Sequence, residues 1–275
     1  MERIDAHQHF WHYDPQRHSW ITDEMAVIRK DFLPGQLAAV LEANRISGCV
    51  AVQADTTAAE TNFLLQLAEQ YAFIKGVVGW TDLCADDVAV QLEFYRQFPK
   101  LCGFRHILQA EDPAYLYRKD FRRGIAALQK AGFTYDILIY PRHLEASYDL
   151  VAAFPEMNFV IDHLAKPDIR HQAMGEWKKG LQALAAFPRV YCKLSGMVTE
   201  ADWDNWTARD LQPYLDTVTD LFGPGRLMFG SDWPVCLVAA AYDQMMAPVL
   251  SYYSRFSAAE QENIFGNNAR NFYQL

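Results

Sequence analysis

Short apolar or β-branched segments alternate with longer stretches of helical period from one end of the chain to the other. Eight such pairs can be read, with strand candidates at Arg3 to His9, Gly48 to Ala54, Gly76 to Trp80, Leu101 to His106, Thr134 to Ile139, Phe159 to His163, Val190 to Ser195 and Leu227 to Asp232. Most are near-continuous apolar runs, as strands buried on both faces of a parallel sheet require. The stretches between them are amphipathic. Asn62 to Tyr71 puts Phe63, Leu64, Leu67, Ala68 and Tyr71 on one face, and Phe121 to Ala131 ends at Gly132, a helix-stop residue. No Pro/Ser-rich linker or like-charge block divides the chain, so one domain over residues 1–275 is expected. Eight βα units in 275 residues predict an α/β fold of the (β/α)₈ barrel type, whose functional side chains sit at the C-terminal ends of the strands. An open doubly wound sheet would carry a glycine-rich phosphate turn after its first strand. Here that turn reads His7-Gln8-His9-Phe10-Trp11, so a nucleotide cofactor has no support.

Composition narrows the partners. With 25 Lys and Arg against 34 Asp and Glu, the net charge of −9 repels phosphate backbones and anionic lipid, which argues against nucleic acid. No run approaches the roughly 20 apolar residues of a membrane span, and Met1-Glu2-Arg3-Ile4-Asp5 leads straight into a strand candidate without a signal-peptide core. A cytoplasmic protein without a membrane partner is expected. Cys49, Cys84, Cys102, Cys192 and Cys236 have no C-x-x-C spacing and read as reduced, packed thiols.

His7 and His9 are two apart, so on a strand their imidazoles share a face, together with Asp5. An H-x-H pair alone is weak evidence of a site. Its position strengthens it: the pair ends the first strand candidate, His163 ends the sixth and Asp232 ends the eighth, and in a barrel these ends converge on one mouth. Imidazole and carboxylate are ligands for a divalent ion such as zinc, and an open coordination position makes a hydrolytic site. Without a metal the imidazoles could polarise a carbonyl while Asp232 acts as general base. Both routes are open at this level.

The motifs Ile4-Asp5-Ala6-His7-Gln8-His9-Phe10-Trp11, Gly103-Phe104-Arg105-His106, Val160-Ile161-Asp162-His163-Leu164-Ala165-Lys166-Pro167, Cys192-Lys193-Leu194-Ser195-Gly196 and Phe229-Gly230-Ser231-Asp232-Trp233-Pro234, in this order, resemble the amidohydrolase superfamily, in particular its sugar-lactone hydrolase branch. The resemblance spans almost the whole chain. It implies that His7, His9, His163 and Asp232 stand where such proteins hold or replace one divalent metal, zinc first, with Asp232 as the proton carrier. No carboxylated bridging lysine is evident after the fourth strand, where Arg105-His106 stands instead, so a dinuclear centre is not expected. The metal is dispensable in some members of that branch.

Arg105 and His106 are candidates for stabilising an oxyanion, though strand alternation lets only one of them face the interior. Lys166 follows His163 and is a candidate substrate contact. Lys193, if inward, would need a carboxylate partner. Trp11 to Lys30 forms a long first loop that reads as a lid. Trp11 and Trp233 offer faces for a sugar-derived ring, and His143 sits beyond the fifth strand as a further contact. Neither Ser195 nor Ser231 lies in a G-x-S-x-G elbow, which argues against a serine nucleophile. The leading expectation is hydrolysis of a small sugar-acid lactone by water, with Asp232 as base. The rivals are nonoxidative decarboxylation and a non-catalytic sugar- or metal-binding barrel.

Overall fold

In the computed structural model, which describes residues 2–275, eight parallel strands lie side by side in chain order. They are β1 (Ile4–Gln8), β2 (Gly48–Val52), β3 (Ile74–Gly79), β4 (Leu101–His106), β5 (Thr134–Ile137), β6 (Phe159–Ile161), β7 (Val190–Leu194) and β8 (Leu227–Phe229). Closure between β8 and β1 is made at the mouth, where His9 N–H donates to the Trp233 carbonyl at 2.7 Å and Asp232 N–H to that of His7 at 2.8 Å. The crossover helices are α1 (Pro34–Ala43), α2 (Ala58–Gln70), α3 (Val88–Tyr95), α4 (Lys119–Ala131), α5 (Leu144–Ala153), α6 (Gly175–Ala185), α7 (Ala208–Phe222) and α8 (Tyr242–Tyr253), followed by the short α9 (Ala258–Glu262) and α10 (Asn268–Tyr273). This is the (β/α)₈ barrel that the alternation predicts. Gly132 closes α4 in the left-handed conformation, at φ 84°.

The strand centres agree with expectation and several ends do not. β6 and β8 stop at Ile161 and Phe229, short of the expected His163 and Asp232. Beyond both, the chain enters left-handed turns, with φ of 51°, 55°, 59° and 48° at His163, Leu164, Ala165 and Lys166 and 57° at Asp232.

Two apolar layers hold the barrel. The larger lies between strands and helices. The smaller fills the barrel itself: Ile4, Ala6, Val50, Val52, Val78, Val160 and Met228 meet Phe272 and Tyr273 of α10, which plugs the end opposite the mouth. Among the described residues, no helix is long and apolar enough to cross a membrane.

Candidate active site

Strict alternation along β1 would place Asp5, His7 and His9 on one face. A register irregularity between Asp5 and Gln8, measured against β2, breaks it. Asp5 turns outward, accepting from the backbone N–H of Ser231 (2.8 Å) and His7 (3.1 Å) and from the hydroxyl of Tyr242 (3.0 Å). It ties β1 to β8 and leaves the two imidazoles to the mouth. Gly230 allows this approach, since a Cβ there would lie 2.6 Å from His7 Cβ.

His163 and Asp232 join them from their left-handed turns. Asp232 Oδ1 lies 3.3 Å from His9 Nε2 and 3.9 Å from Nε2 of both His7 and His163. His7 and His9 Nε2 are 3.2 Å apart. Outside the cluster, His9 Nδ1–H donates to the Val52 carbonyl at 2.7 Å, and Ser195 Oγ holds His163 Nδ1 at 2.8 Å. Gly196, at φ 65°, packs beneath His163, where a Cβ would meet the ring at 2.7 Å. Burial strips solvation from His7 and His163 and holds both well below the usual imidazole range. Burial alone would raise Asp232. His163, His9 and Lys166 outweigh it and hold the carboxyl below its ordinary value.

Beneath this ring lies a buried ionic layer. Arg105 Nη1 donates to Asp162 Oδ2 at 2.9 Å and sits 3.2 Å from His7 Nε2, while its Nη2 donates to the Gln53 carbonyl. Lys193 Nζ lies 2.6 Å from Asp136 Oδ2, 3.0 Å from Asp162 Oδ1 and 3.1 Å from His7 Nδ1. Tyr273 reaches up from α10 and donates to Asp136 at 2.7 Å. Two cations and two carboxylates thus balance, the only form in which such charges are tolerated inside a barrel. Lys193, Arg105 and Asp162 also hem in His7 from below.

Above the ring opens a cavity of about 580 Å³. The loop after β1 contributes Arg17, Trp20 and Met25, the β2 end Asp55, the β4 end Arg105, His106 and Glu111, and the later strand ends Tyr140, Lys166, Glu200, Trp203 and Val235. Asp232, His9 and His163 form its floor.

The amidohydrolase family model matches residues 4–275. The chain belongs to this family. An L-fucono-1,5-lactonase of Burkholderia multivorans (strain ATCC 17616 / 249) is 43% identical over 285 residues, which cover 99% of this chain and 96% of that protein. An L-fucono-1,5-lactonase of Burkholderia ambifaria is 35% identical over 99% of this chain and 96% of its own length. The crystal structure of an amidohydrolase from Burkholderia multivorans with bound zinc superposes with a TM-score of 0.96 at 43% identity, covering 100% of both chains.

In this amidohydrolase the residues expected at the mouth part into two groups. His7, His9, His163, Asp232 and Arg105 converge, and His106 and Lys166 line the cavity above them. Three expected substrate contacts do not reach it. Trp11 is buried against Phe32, His18 and Trp20, with Nε1–H donating to the Lys30 carbonyl at 2.9 Å. Trp233 packs edge-on against Phe10 and Phe32. His143 is fully buried between the backbones of Tyr140 and Glu111. Each anchors a loop that bends over its own strand end, and the aromatic walls come instead from Trp20 and Trp203. Arg105 is the inward residue of its pair. His106 reaches the rim, bonded to Glu111 (3.0 Å) and to Trp80 (3.2 Å). Lys193 has the carboxylate partners that an inward lysine needs.

The donor set fits a divalent ion. His9 Nδ1 is engaged by the Val52 carbonyl, which turns Nε2 toward Asp232 Oδ1 and His7 Nε2, so three ligand-type atoms converge on one point. Metal–ligand bonds of about 2.0–2.1 Å in tetrahedral array place ligand atoms roughly 3.3 Å apart. The separations of 3.2, 3.3 and 3.9 Å bracket that value. Asp162 and Asp136, which order the cluster from below, carry no sequence signal beyond the adjacency of Asp162 to His163.

Proposed function

We propose that this chain hydrolyses the ring ester of a small sugar-acid lactone, with Asp232 as general base. The observation that carries the reading is Asp232 itself, an ionised carboxylate on the floor of the cavity, ringed by three imidazoles rather than fixed by a guanidinium. The full-length likeness to L-fucono-1,5-lactonases supports it and makes deoxyhexonic 1,4- and 1,5-lactones the first substrates to test.

Asp232 Oδ1 faces the imidazoles, which leaves the second oxygen to take a proton from water. The water oxygen adds to the carbonyl carbon, and negative charge develops on the carbonyl oxygen. The positive charge of Arg105 and the Lys166 ammonium, both lining the cavity, offset that charge. Asp232 then returns its proton to the ring oxygen as the ring C–O bond breaks, so one carboxylate serves as base and then acid. The product carboxylic acid ionises and releases one proton to solvent. Ser195 and Ser231 are fully buried and take no part as nucleophiles.

His7, His9, His163 and Asp232 would hold a divalent ion, zinc first, and such an ion supplies Lewis-acid polarisation of the carbonyl and a more acidic water. The ion is dispensable in this reading, because Arg105 places a protein cation 3.2 Å from His7 Nε2. A pH-indicator screen of uncharged 1,4- and 1,5-lactones, with native, chelated and zinc-supplemented protein, tests the whole scheme. Proton release above the enzyme-free rate is expected. Carbon dioxide evolution with proton uptake from aromatic carboxylic acids would instead make the protein a decarboxylase.

A further inference from the structure

Each formally charged cation lining the cavity, among the described residues, stands against a carboxylate. Arg17 pairs with Asp55, Arg105 with Asp162 at 2.9 Å, and Lys166 with Glu200 at 2.9 Å. Asp232 and Glu111 add two further carboxylates, the first ringed by imidazoles and the second bonded to His106 at 3.0 Å. A pocket of this composition, in a chain of net charge −9, opposes a second negative charge on its ligand.

The three pairs are not equivalent. Arg105 is 3% exposed and spends its N–H groups on Gln53 and Asp162 beside His7. Arg17 belongs to the loop after β1, is 42% exposed and holds Asp55 and Thr57. Lys166 has three N–H donors, and Glu200 is the one hydrogen-bond partner its ammonium has among the described residues. Lys166 lines the cavity, and its two remaining donors have no hydrogen-bond partner among the described residues. The left-handed turn 163–166 sets the direction of the side chain, with Lys166 N–H bonded to the His163 carbonyl at 2.7 Å and the ammonium above the Tyr140 ring. Glu200 comes from the separate turn after β7 (Val198–Glu200), so neither partner determines the other's place through local sequence.

We propose that Glu200 is a specificity-determining residue: by neutralising Lys166 while leaving two of its N–H donors free to bind hydroxyl or carbonyl oxygens, it makes the pocket select uncharged lactones over lactones that bear a carboxylate. This rests on the lactonase reading, and the experiment separates the two.

The probes are L-galactono-1,4-lactone and the galactaro-1,4-lactone of the same ring configuration, which differ only in CH₂OH against COO⁻ at carbon 6. Wild type is expected to favour the uncharged ring in kcat/KM. Glu200→Gln shifts the ratio toward the charged ring by about tenfold or more, through a lower KM for the charged lactone, and added salt shrinks the shift. Glu200→Asp keeps the wild-type ratio. Lys166→Gln moves the ratio the opposite way, and it decides the matter if Glu200→Gln does not fold. A ratio unmoved by Glu200→Gln, or unmoved by Lys166→Gln where that variant decides, overturns the proposal. If wild type opens neither ring nor any other lactone, the lactonase reading fails on its own. Calorimetric binding of galactonate and galactarate to the same variants then tests Glu200 alone: a tenfold relative gain for galactarate in Glu200→Gln supports it, and no gain overturns it.

Discussion

Strand β1 passes through two environments within six residues. At its start, Ile4 and Ala6 enter the apolar plug with Val50, Val160 and Phe272. At its end, His7 and His9 enter a layer of imidazoles and paired charges, held by residues with positive φ and by glycines that leave no room for a Cβ. Both regions are buried to the same degree, so burial alone does not distinguish a stabilising layer from a working one. The difference is in what burial costs. Apolar groups gain from leaving water, whereas the mouth must hold ionised and lone-pair-bearing groups that would be more stable solvated. A barrel keeps these demands apart by giving stability to one end and chemistry to the other.

Asp232→Asn gives the sharpest break at the mouth. The amide cannot accept the water proton, so kcat is expected to fall about 10⁴-fold while lactone-acid binding and the circular dichroism spectrum persist. Turnover within tenfold of wild type would remove Asp232 from the base role. Ile4→Ala is the counterpart in the plug. It leaves a cavity under a side chain that is 2% exposed and is expected to cost about 3 kcal/mol in denaturant unfolding, with kcat and KM of the folded fraction unchanged.

A third substitution falls between the two regions. Glu60 in α2 accepts from Ala54 N–H and faces Arg17 of the loop after β1 at 3.6 Å, and burial raises its carboxyl from 4.5 to about 7. The folded state therefore holds its proton where the unfolded chain has lost it. By linkage, stability falls as pH rises from about 4.5 to about 7 and then levels. Glu60→Gln keeps the acceptor without the charge. Its thermal midpoint is expected to exceed wild type by about 2–4 °C at pH 8 and to match it near pH 4.5. An equal gain at both values would mean that ionisation of Glu60 is not what the fold resists.

The sequence shows the plug more plainly than the mouth, and the reason is physical. Buried strands leave continuous apolar runs, so all eight strand centres are legible. The ends of β6 and β8 are not, because the left-handed turns there include Leu164, Ala165 and Lys166, whose chemistry does not favour that backbone. His7, His9, His163, Asp232 and Arg105 are legible through motifs at strand ends. Glu200, Asp136 and Tyr273 are not, since each matters through a partner far away in the chain. Trp11, Trp233 and His143 show the converse error: a large side chain next to a strand end can fold down to pin its loop as readily as up to meet a ligand.

The smallest effect bears most directly on how the mouth is held. Ala165, at φ 59°, sits in a run of four left-handed non-glycine residues that carries His163 at one end and Lys166 at the other. A left-handed residue with a Cβ costs about 1–2 kcal/mol, and glycine removes that cost but adds roughly 0.5–1 kcal/mol of chain entropy to the unfolded state. Ala165→Gly is therefore expected to leave stability level or raise it by about 0.5 kcal/mol, a shift of roughly 1 °C. Its effect on turnover has the opposite sign. Glycine also widens the backbone choices of the turn, so His163 Nε2 and the Lys166 ammonium hold their positions less well. A decrease of about threefold in kcat, with KM nearly unchanged, is the expected result. If kcat instead rises with stability, the strain in this turn does not serve to position His163 and Lys166, and the division between a stable end and a strained working end does not extend to the backbone.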